Sequence, residues 1–319
     1  MKHISQYTLI VIIAIFFTLF YNFSFFTNVV NTYPLDGLNI VHFFSVGILL
    51  TSLVVFLFTL FSSKYTTKPI LIIILIISSF AAYFMDTYHV VIDDSMIRNS
   101  LQTNLSESSD LFSLKLVLYI FLLGVLPSYF VYKTQIKYKS FKQEFFAKLK
   151  TICLSLAVVL IILFSFSKFY TSFLREHKPL RYHVNPIYWI YSIGNYINKS
   201  VNSGPIVVKQ IGLDAKINEE SHQKVDKTEL IIMVVGEAAR ANRFSLNGYE
   251  KETNPLLKKE EIYNFPNLYS CGTSTAESVP CMFSIFDKAN YDYKKGISTE
   301  NILDVLKHTK NVNILWRDN

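Results

Sequence analysis

Residues 38–61 read LNIVHFFSVGILLTSLVVFLFTLF, an apolar run that contains no acid, lysine or arginine. A helix of about 20 apolar residues crosses the hydrocarbon core of a bilayer. Lipid offers the backbone no hydrogen-bond partners, so a run of this kind must be helical. Four further runs approach or reach this length: 9–28, 69–85, 114–132 and 152–169. The sequence therefore predicts a five-helix transmembrane domain over residues 1–170.

The charged residues are divided unequally between the loops. Lysines are concentrated before the first run, between the second and third, and between the fourth and fifth: Lys2, Lys64, Lys68, Lys133, Lys137, Lys139, Lys142, Lys148 and Lys150. Loop 86–110 instead carries five acids against Arg98 alone. Cytoplasmic loops are enriched in Lys and Arg, so this pattern places the N-terminus in the cytoplasm and everything after residue 170 outside. The net charge of +7 lies largely in these lysine loops, which argues against nucleic acid as a partner.

Residues 171–227 are predicted to form juxtamembrane helices and a linker. Arg175, Lys178 and Arg181 are typical either of contacts with lipid phosphates or of ordinary interfacial anchoring. Asn185-Pro186 precedes the aromatic segment IYWIY at 187–191. That segment predicts a short helix on the membrane surface, with Trp189 and its neighbouring tyrosines at headgroup depth.

Residues 228–319 have the pattern of an α/β domain. The run LIIMVV at 230–235, stopped by Gly236, is typical of a strand buried on both faces. Residues 301–310 predict a helix capped by Ser298 or Thr299, and 312–316 predict a second strand. Strand, helix and strand imply parallel pairing. So few strands cannot bury a doubly wound core, so we expect this domain to be incomplete.

Residues 270–281, SCGTSTAESVPC, place small hydroxyl residues between two cysteines. In an exported segment a Cys271–Cys281 disulfide is favoured; two unpaired thiols or a zinc thiolate are weaker alternatives. Cys153, within the fifth apolar run, is expected to be a free buried thiol.

The same loop could carry phosphoryl chemistry. Ser274 or Thr275 could cap a helix running from 276 to 283, and a helix N-terminus favours a bound phosphate. A metal bound to a threonine oxygen would lower the hydroxyl pKa, and Glu237, at the end of the first predicted strand, could supply a carboxylate ligand. Capping and turn formation explain these residues equally well from their chemistry alone.

Several motifs in order give the chain a resemblance to a known family. VVGEAAR (234–240), FSLNGY (244–249), TNPLL (253–257), SCGTSTA (270–276), SVPCMFS (278–284) and ILWRDN (314–319) resemble the phosphoethanolamine transferases of Gram-negative bacteria. The resemblance implies a multi-pass enzyme of the bacterial inner membrane. It also implies five spans and a periplasmic domain of the alkaline phosphatase/sulfatase type.

The resemblance also implies roles for individual residues. Thr275 matches the nucleophile that becomes phosphoethanolamine-modified, Glu237 matches a ligand of Zn²⁺, and Cys271 and Cys281 match a family disulfide. Three residues of the 86–110 loop match the lining of the lipid headgroup pocket: Asn99, Thr103 and Glu107. The implied donor is phosphatidylethanolamine and the implied acceptor is a phosphate, most simply that of lipid A. The consequence would be resistance to polymyxin and other cationic peptides.

The sequence departs from the family in two respects. None of the seven histidines forms a recognisable metal pair, and we expect the remaining zinc ligands beyond Asn319. Ala238 stands where many members have threonine, with little consequence for ligation. Two alternatives stay open: a related phosphoglycerol transferase, and a non-catalytic membrane fragment.

Overall fold

The computed structural model describes residues 4–103, 109, 111–217, 229–236 and 239–317. It divides into two compact units with the boundary between Asn202 and Ser203. Each unit is described by itself.

The first unit is a bundle of apolar helices. They are α1 (Gln6–Phe20), α2 (Phe23–Thr32), α3 (Gly37–Leu60), α4 (Thr67–Tyr88), α5 (Asp94–Gln102), α6 (Leu114–Lys133), α7 (Phe141–Ser165), α8 (Ser167–Arg175) and α9 (Ile187–Asn202). Four of the described helices, α3, α4, α6 and α7, are long and apolar enough to cross a membrane, and α1 with α2 forms a bent pair that could be a fifth span. The expected membrane-helical region is confirmed as four to five such helices.

The first apolar run is broken rather than continuous. α1 and α2 meet at an angle of 56°. The break lies at Tyr21 and Asn22, both fully buried. Asn22 Nδ2 donates to the Phe17 carbonyl at the end of α1 (3.0 Å) and also to the Asn185 carbonyl (2.8 Å). The bend therefore lies at the point where Asn22 links the end of α1 to Asn185 by hydrogen bonds.

That network joins three segments distant in sequence. The Asn185 backbone N–H donates to Asn22 Oδ1 at 2.9 Å, and Asn185 Nδ2 donates to the Ser78 carbonyl at 3.1 Å. Trp189 Nε1 donates to Ser78 Oγ (3.1 Å) and to Asn185 Oδ1 (3.2 Å). Buried polar groups cost free energy unless they are paired, so these bonds allow α2, α4 and the segment before α9 to pack together.

Helices α4 and α6 approach closely. Residues Ile120–Val125 of α6 form a π-helical segment. An added Cβ on Gly124 would lie 2.8 Å from Ser79 Oγ, so a larger residue would force the helices apart. The Tyr21 hydroxyl donates to the carbonyl of Leu123 within the π-helical segment. Irregular helix hydrogen bonding at this point supplies a partner for a buried phenol.

The last predicted span starts earlier than its apolar run. α7 begins at Phe141 and ends at Ser165, and Phe166 separates it from α8. The lysines at 142, 148 and 150 are compatible with a helix. Hydropathy alone therefore predicted a start at residue 152, about three helical turns after the observed start at Phe141. Cys153 is a free thiol but is exposed on α7, so the expectation of a buried thiol was wrong.

Helix α9 confirms the predicted helix after Asn185-Pro186, but Trp189 is not a headgroup anchor. Trp189 is buried and packs against Ala81 and Met85 of α4. Its indole N–H donates to Ser78 and Asn185. The hydrogen-bond donor of Trp189 is therefore paired inside the bundle and not at the membrane surface.

The second unit contains short helices joined by extended segments. They are α10 (Thr275–Phe283), α11 (Tyr293–Ile297) and α12 (Ile302–His308). The predicted helix near 301–310 is confirmed, but its cap is Asn301, which forms a capping box with Asp304 rather than using Ser298 or Thr299.

The predicted strands at 230–235 and 312–316 are not formed within the described residues. Both segments are without regular secondary structure, and Leu230, Ile231 and Val234 are each more than 80 % exposed. A strand requires a hydrogen-bonded neighbour, and neither run has one in the part of the chain that is described. Among the described residues of the second unit, the single pairing is an isolated parallel bridge between Lys209 and Thr299.

A small polar clasp fixes the segment around that bridge. The Lys209 backbone N–H donates to the Ser298 carbonyl (2.8 Å), and the Glu300 N–H donates to the Lys209 carbonyl (3.0 Å). Glu300 Oε2 accepts the Ile211 N–H (3.0 Å) and lies 2.8 Å from His308 Nε2. The Glu300 side chain is only 13 % exposed, so the clasp ties α12 to residues 209–211.

The clasp predicts a pH dependence. The hydrogen bond with His308, followed by that from the Ile211 N–H, lowers the pKa of Glu300 below its usual 4.5. A carboxylate with a lowered pKa stabilises the folded arrangement above its usual pKa, and this contribution is lost as pH falls through the lowered value. We expect protection of the Ile211 amide against hydrogen exchange to fall below about pH 4.5. Glu300→Gln should remove this dependence, and the exposed Glu250→Gln should keep it; identical profiles for all three proteins would contradict the clasp.

Candidate active site

The hydroxyl loop ends at the start of a helix, as predicted. α10 begins at Thr275, and Ser274 occupies the N-cap position with an extended backbone. The Ser274 carbonyl accepts the N–H groups of Glu277 (3.1 Å) and Ser278 (2.9 Å). The Thr275 residue is exposed, whereas Ser274 Oγ is buried and makes no hydrogen bond to the described residues. Of these two hydroxyl residues, Thr275 is the one open to a substrate.

The loop is held from both sides. Cys271 and Cys281 form a disulfide, which confirms the expected pairing. Glu277 lies over Gly272 so closely that an added Cβ there would be 3.0 Å from the Glu277 Cβ. At the far end of α10, the Phe283 and Trp316 rings meet edge to face at 5.7 Å. These contacts restrict the backbone that carries Thr275.

The disulfide has a measurable consequence for stability. Closing a loop of about ten residues contributes at most about 3 kcal/mol in the chain-entropy model. We expect the double replacement Cys271→Ser and Cys281→Ser to lower the thermal midpoint of the second unit. Cys153→Ser provides the matched control because that thiol is free. A double variant that melts with the control would show that the bridge does not stabilise the loop.

A metal site is not assembled within the described residues. They contain no group of three or more His, Cys, Asp or Glu side chains that could hold an ion. Of the predicted ligands, Thr275 lies in the described part of the chain and Glu237 lies outside it. We therefore derive no reaction step through a metal from this geometry.

Two of the three predicted headgroup residues meet at the end of α5. The Thr103 N–H and Oγ1 both donate to the Asn99 carbonyl, at 2.8 and 2.7 Å. The third, Glu107, lies outside the described residues. Both described residues are half-buried, so the turn after α5 has a defined shape with polar side chains on it.

An ion pair holds α5 against α9. Asp94 Oδ2 accepts from Lys199 Nζ at 2.6 Å, and Asp94 Oδ1 accepts from Asn195 Nδ2 at 3.1 Å. Burial acts to raise the pKa of Asp94, but the hydrogen bond and charge of Lys199 outweigh it and lower the pKa overall. Asp94 is therefore ionised at neutral pH, and it anchors the helix that carries Asn99.

The sequence missed a second polar cluster at this end of the bundle. Asp86, in the last turn of α4, accepts the Ser24 N–H at 3.0 Å and the Tyr119 hydroxyl at 3.4 Å. Ser24 Oγ lies 3.2 Å from His183 Nδ1. Burial, followed by the charge of His89, lowers the pKa of His183. The position of Asp86 directly after an apolar run was the available signal. The sequence pattern instead places Asp86 in the 86–110 loop, whereas the structure places it in α4.

Comparisons with known proteins match both parts of the chain. The family model described as "Phosphoethanolamine transferase EptA/EptB" matches residues 50–201, and the model described as "Sulfatase" matches residues 229–313. The second match agrees with the expectation of a sulfatase-like domain after the membrane helices.

Individual relatives cover almost the whole chain. Phosphatidylethanolamine transferase Mcr-1 of Escherichia coli is 39 % identical over all of this chain and 59 % of its own length. Phosphoethanolamine transferase EptA of Escherichia coli K12 is 34 % identical over 96 % of this chain and 56 % of its own. The solved lipooligosaccharide phosphoethanolamine transferase A of Neisseria meningitidis superposes with a TM-score of 0.84 at 30 % identity. It covers 97 % of this chain and 57 % of its own. The chain thus spans somewhat more than half the length of these relatives.

Proposed function

We propose that the chain belongs to the phosphoethanolamine transferases that it resembles and that it transfers phosphoethanolamine from phosphatidylethanolamine to a phosphate of lipid A. The observation that carries this proposal is the exposed Thr275 at the start of α10, inside the Cys271–Cys281 loop. Two relatives whose names state an acceptor are Kdo(2)-lipid A phosphoethanolamine 7''-transferases, which supports an acceptor of the lipid A type.

The proposed reaction has two displacement steps. Thr275 Oγ1 attacks the phosphorus of the donor, the bond from phosphorus to the glycerol oxygen breaks, and the threonine proton ends on the released diacylglycerol. An oxygen of the acceptor phosphate then attacks the same phosphorus, and Thr275 leaves and regains a proton. In each step, positioning and charge stabilisation account for most of the catalysis expected in phosphoryl transfer.

We assign Zn²⁺ to this site with Glu237 and Thr275 among its ligands. A bound zinc ion would lower the pKa of the threonine hydroxyl and neutralise phosphoryl charge. The contribution of the described residues is to hold Thr275 at a helix N-terminus, where backbone dipoles favour an anionic group.

We further propose that Asn99, Thr103 and Glu107 bind the donor headgroup, with Glu107 pairing with the ethanolamine ammonium. The hydrogen bonds between Thr103 and Asn99 support a preformed turn. Anchoring of α5 through Asp94 and Lys199 would keep that turn in place.

The orientation follows from the lysine loops, which we place on the cytoplasmic side of the bacterial inner membrane. These loops are joined to one another. Lys148 Nζ donates to the carbonyls of Leu60 and Ser62, and Lys68 Nζ donates to that of Tyr132. The proposed catalytic domain is then periplasmic.

Masking an anionic phosphate with an ammonium would weaken the binding of cationic peptides.

Lipid mass spectrometry tests the proposal. The full-length protein is expressed in a Gram-negative host that lacks its own phosphoethanolamine transferases, and lipid A is extracted. We expect phosphoethanolamine-modified lipid A together with released diacylglycerol. Unmodified lipid A, or lipid A carrying phosphoglycerol, would contradict the proposal.

A further inference from the structure

Helix α8 (Ser167–Arg175) has two sharply different faces. Tyr170 and Phe173 are buried, and the Tyr170 hydroxyl lies 2.8 Å from Ser45 Oγ. The Tyr33 ring contacts both Phe169 (5.0 Å) and Phe173 (6.2 Å). These contacts fix the rotation of α8 about its own axis, so its opposite face must point away from the bundle.

That opposite face is cationic and rich in hydroxyl groups. Lys168, Thr171 and Arg175 follow one another at the three- and four-residue spacing that places side chains on one helix face, and all three are exposed. They line a shallow cavity of about 390 Å³ together with Ser167, Ser172 and Glu176. Lys168 and Arg175 lie two turns apart, a rise of about 10 Å. Both side chains can therefore reach one ligand that lies against Thr171, between them.

The acid of this cavity is already engaged. Ser172 Oγ donates to Glu176 Oε2 at 2.6 Å. With two cations and one acid, the net charge of the cavity residues is positive, and the chain immediately beyond α8 adds two exposed cations, Lys178 and Arg181. The electrostatic character of this surface therefore suits an anion at the membrane interface, since α8 begins directly after the span α7.

We propose that the Lys168–Arg175 face of α8 binds the phosphomonoester group of the acceptor lipid. This inference rests on the proposed function and names the place where one of its substrates is held. The Thr171 hydroxyl, which donates to the Ser167 carbonyl at 2.8 Å in the structure, turns to donate to a phosphate oxygen, while Lys168 and Arg175 neutralise the charge from either side. In the orientation proposed above, the face lies at the outer surface of the inner membrane.

Charge favours the acceptor over the donor for this surface. The headgroup of phosphatidylethanolamine carries one negative and one positive charge, so two cations gain little from it. A phosphomonoester carries about −1.5 to −2 charge at neutral pH and presents three acceptor oxygens. Paired cations and a hydroxyl match that group.

Lipid binding to the full chain in detergent micelles tests the proposal without requiring turnover. The probe is bis-phosphorylated lipid A, with enzymatically dephosphorylated lipid A, phosphatidylglycerol and inorganic phosphate as comparison ligands. We expect Lys168→Gln combined with Arg175→Gln to raise the Kd for bis-phosphorylated lipid A about tenfold. Dephosphorylated lipid A and inorganic phosphate should bind weakly to every variant.

A control of equal charge keeps the result interpretable. Lys142→Gln combined with Lys150→Gln removes two exposed lysines of α7 near the other end of that helix and should leave the Kd unchanged. Glu176→Gln should tighten binding, because it removes the acid from the cavity. Equal Kd values for the α8 variant and the wild type would overturn the proposal. Equal affinity for phosphatidylglycerol would show a general anionic-lipid surface and overturn it as well.

Failure of the proposed function would look different. The donor half-reaction is followed with fluorescent phosphatidylethanolamine as release of fluorescent diacylglycerol. If the α8 proposal is right, the Lys168 and Arg175 variant keeps donor cleavage and loses affinity for lipid A. A wild-type chain that binds lipid A through α8 but never cleaves the donor would contradict the proposed function and leave the binding surface intact. A variant that loses donor cleavage in parallel would contradict a role confined to the acceptor.

Discussion

Replacement of Thr275 by alanine is expected to reduce phosphoethanolamine transfer by at least about 10³-fold. Thr275 is the proposed nucleophile, and loss of a nucleophile removes the covalent route rather than weakening one contact. The change should be tolerated structurally, because the side chain is exposed and alanine is a good helix former. The measurement is lipid A modification by the purified full-length protein, read by mass spectrometry.

The neighbouring hydroxyl residues provide the controls. Thr273→Ala alters an exposed position outside α10, and Ser274→Ala removes a buried oxygen that bonds to none of the described residues. Both variants should keep activity within about threefold of the wild type. Full activity in Thr275→Ala, or loss of activity in Thr273→Ala alone, would contradict the assignment of Thr275 as the nucleophile.

Replacement of Asn22 by alanine is expected to destabilise the membrane unit by roughly 2–6 kcal/mol. The Asn22 side chain pairs with both the N–H and the carbonyl of Asn185. Removing it leaves two buried backbone groups without these partners, and each costs about 1–3 kcal/mol. The cap on the Phe17 carbonyl is lost as well. Thermal unfolding of the purified chain in detergent should show a midpoint lower by roughly 4 °C or more.

Asn31→Ala is the matched control for that experiment. Asn31 lies on α2 like the residues that follow Asn22, but it is exposed. Its replacement should leave the midpoint within about 1 °C of the wild type. If Asn22→Ala melted at the same temperature as Asn31→Ala, the bend between α1 and α2 would not depend on this network.

Hydropathy predicted the membrane region well because the bilayer imposes a simple rule on helix length and composition. It could not predict the break at Tyr21 and Asn22. That break depends on Ser78 and Asn185, which follow Asn22 by more than 50 and 160 residues and become neighbours only in the folded bundle. Trp189 was misplaced for the same reason. An indole at the start of a juxtamembrane helix suits both a headgroup and a buried hydroxyl, and only packing distinguishes them.

The local features of the candidate site were within reach of the sequence. Hydroxyl residues before Pro280 predicted the start of α10, and the position of both cysteines in an exported segment predicted the bridge between Cys271 and Cys281. The β-branched run at 230–235 predicted a strand, but pairing needs a neighbouring strand that local composition does not supply. The clasp could not be predicted from local sequence, because Ile211 precedes Glu300 by 89 residues and becomes its neighbour only in the folded chain.

The most direct test of the central claim is to look for the covalent intermediate. The full-length protein is incubated with phosphatidylethanolamine in the absence of acceptor, digested, and its peptides are sequenced by mass spectrometry. The account predicts a phosphoethanolamine ester on Thr275 that disappears when lipid A is added and never forms in Thr275→Ala. An ester on any other residue, or transfer to lipid A with Thr275 unmodified throughout, would contradict it.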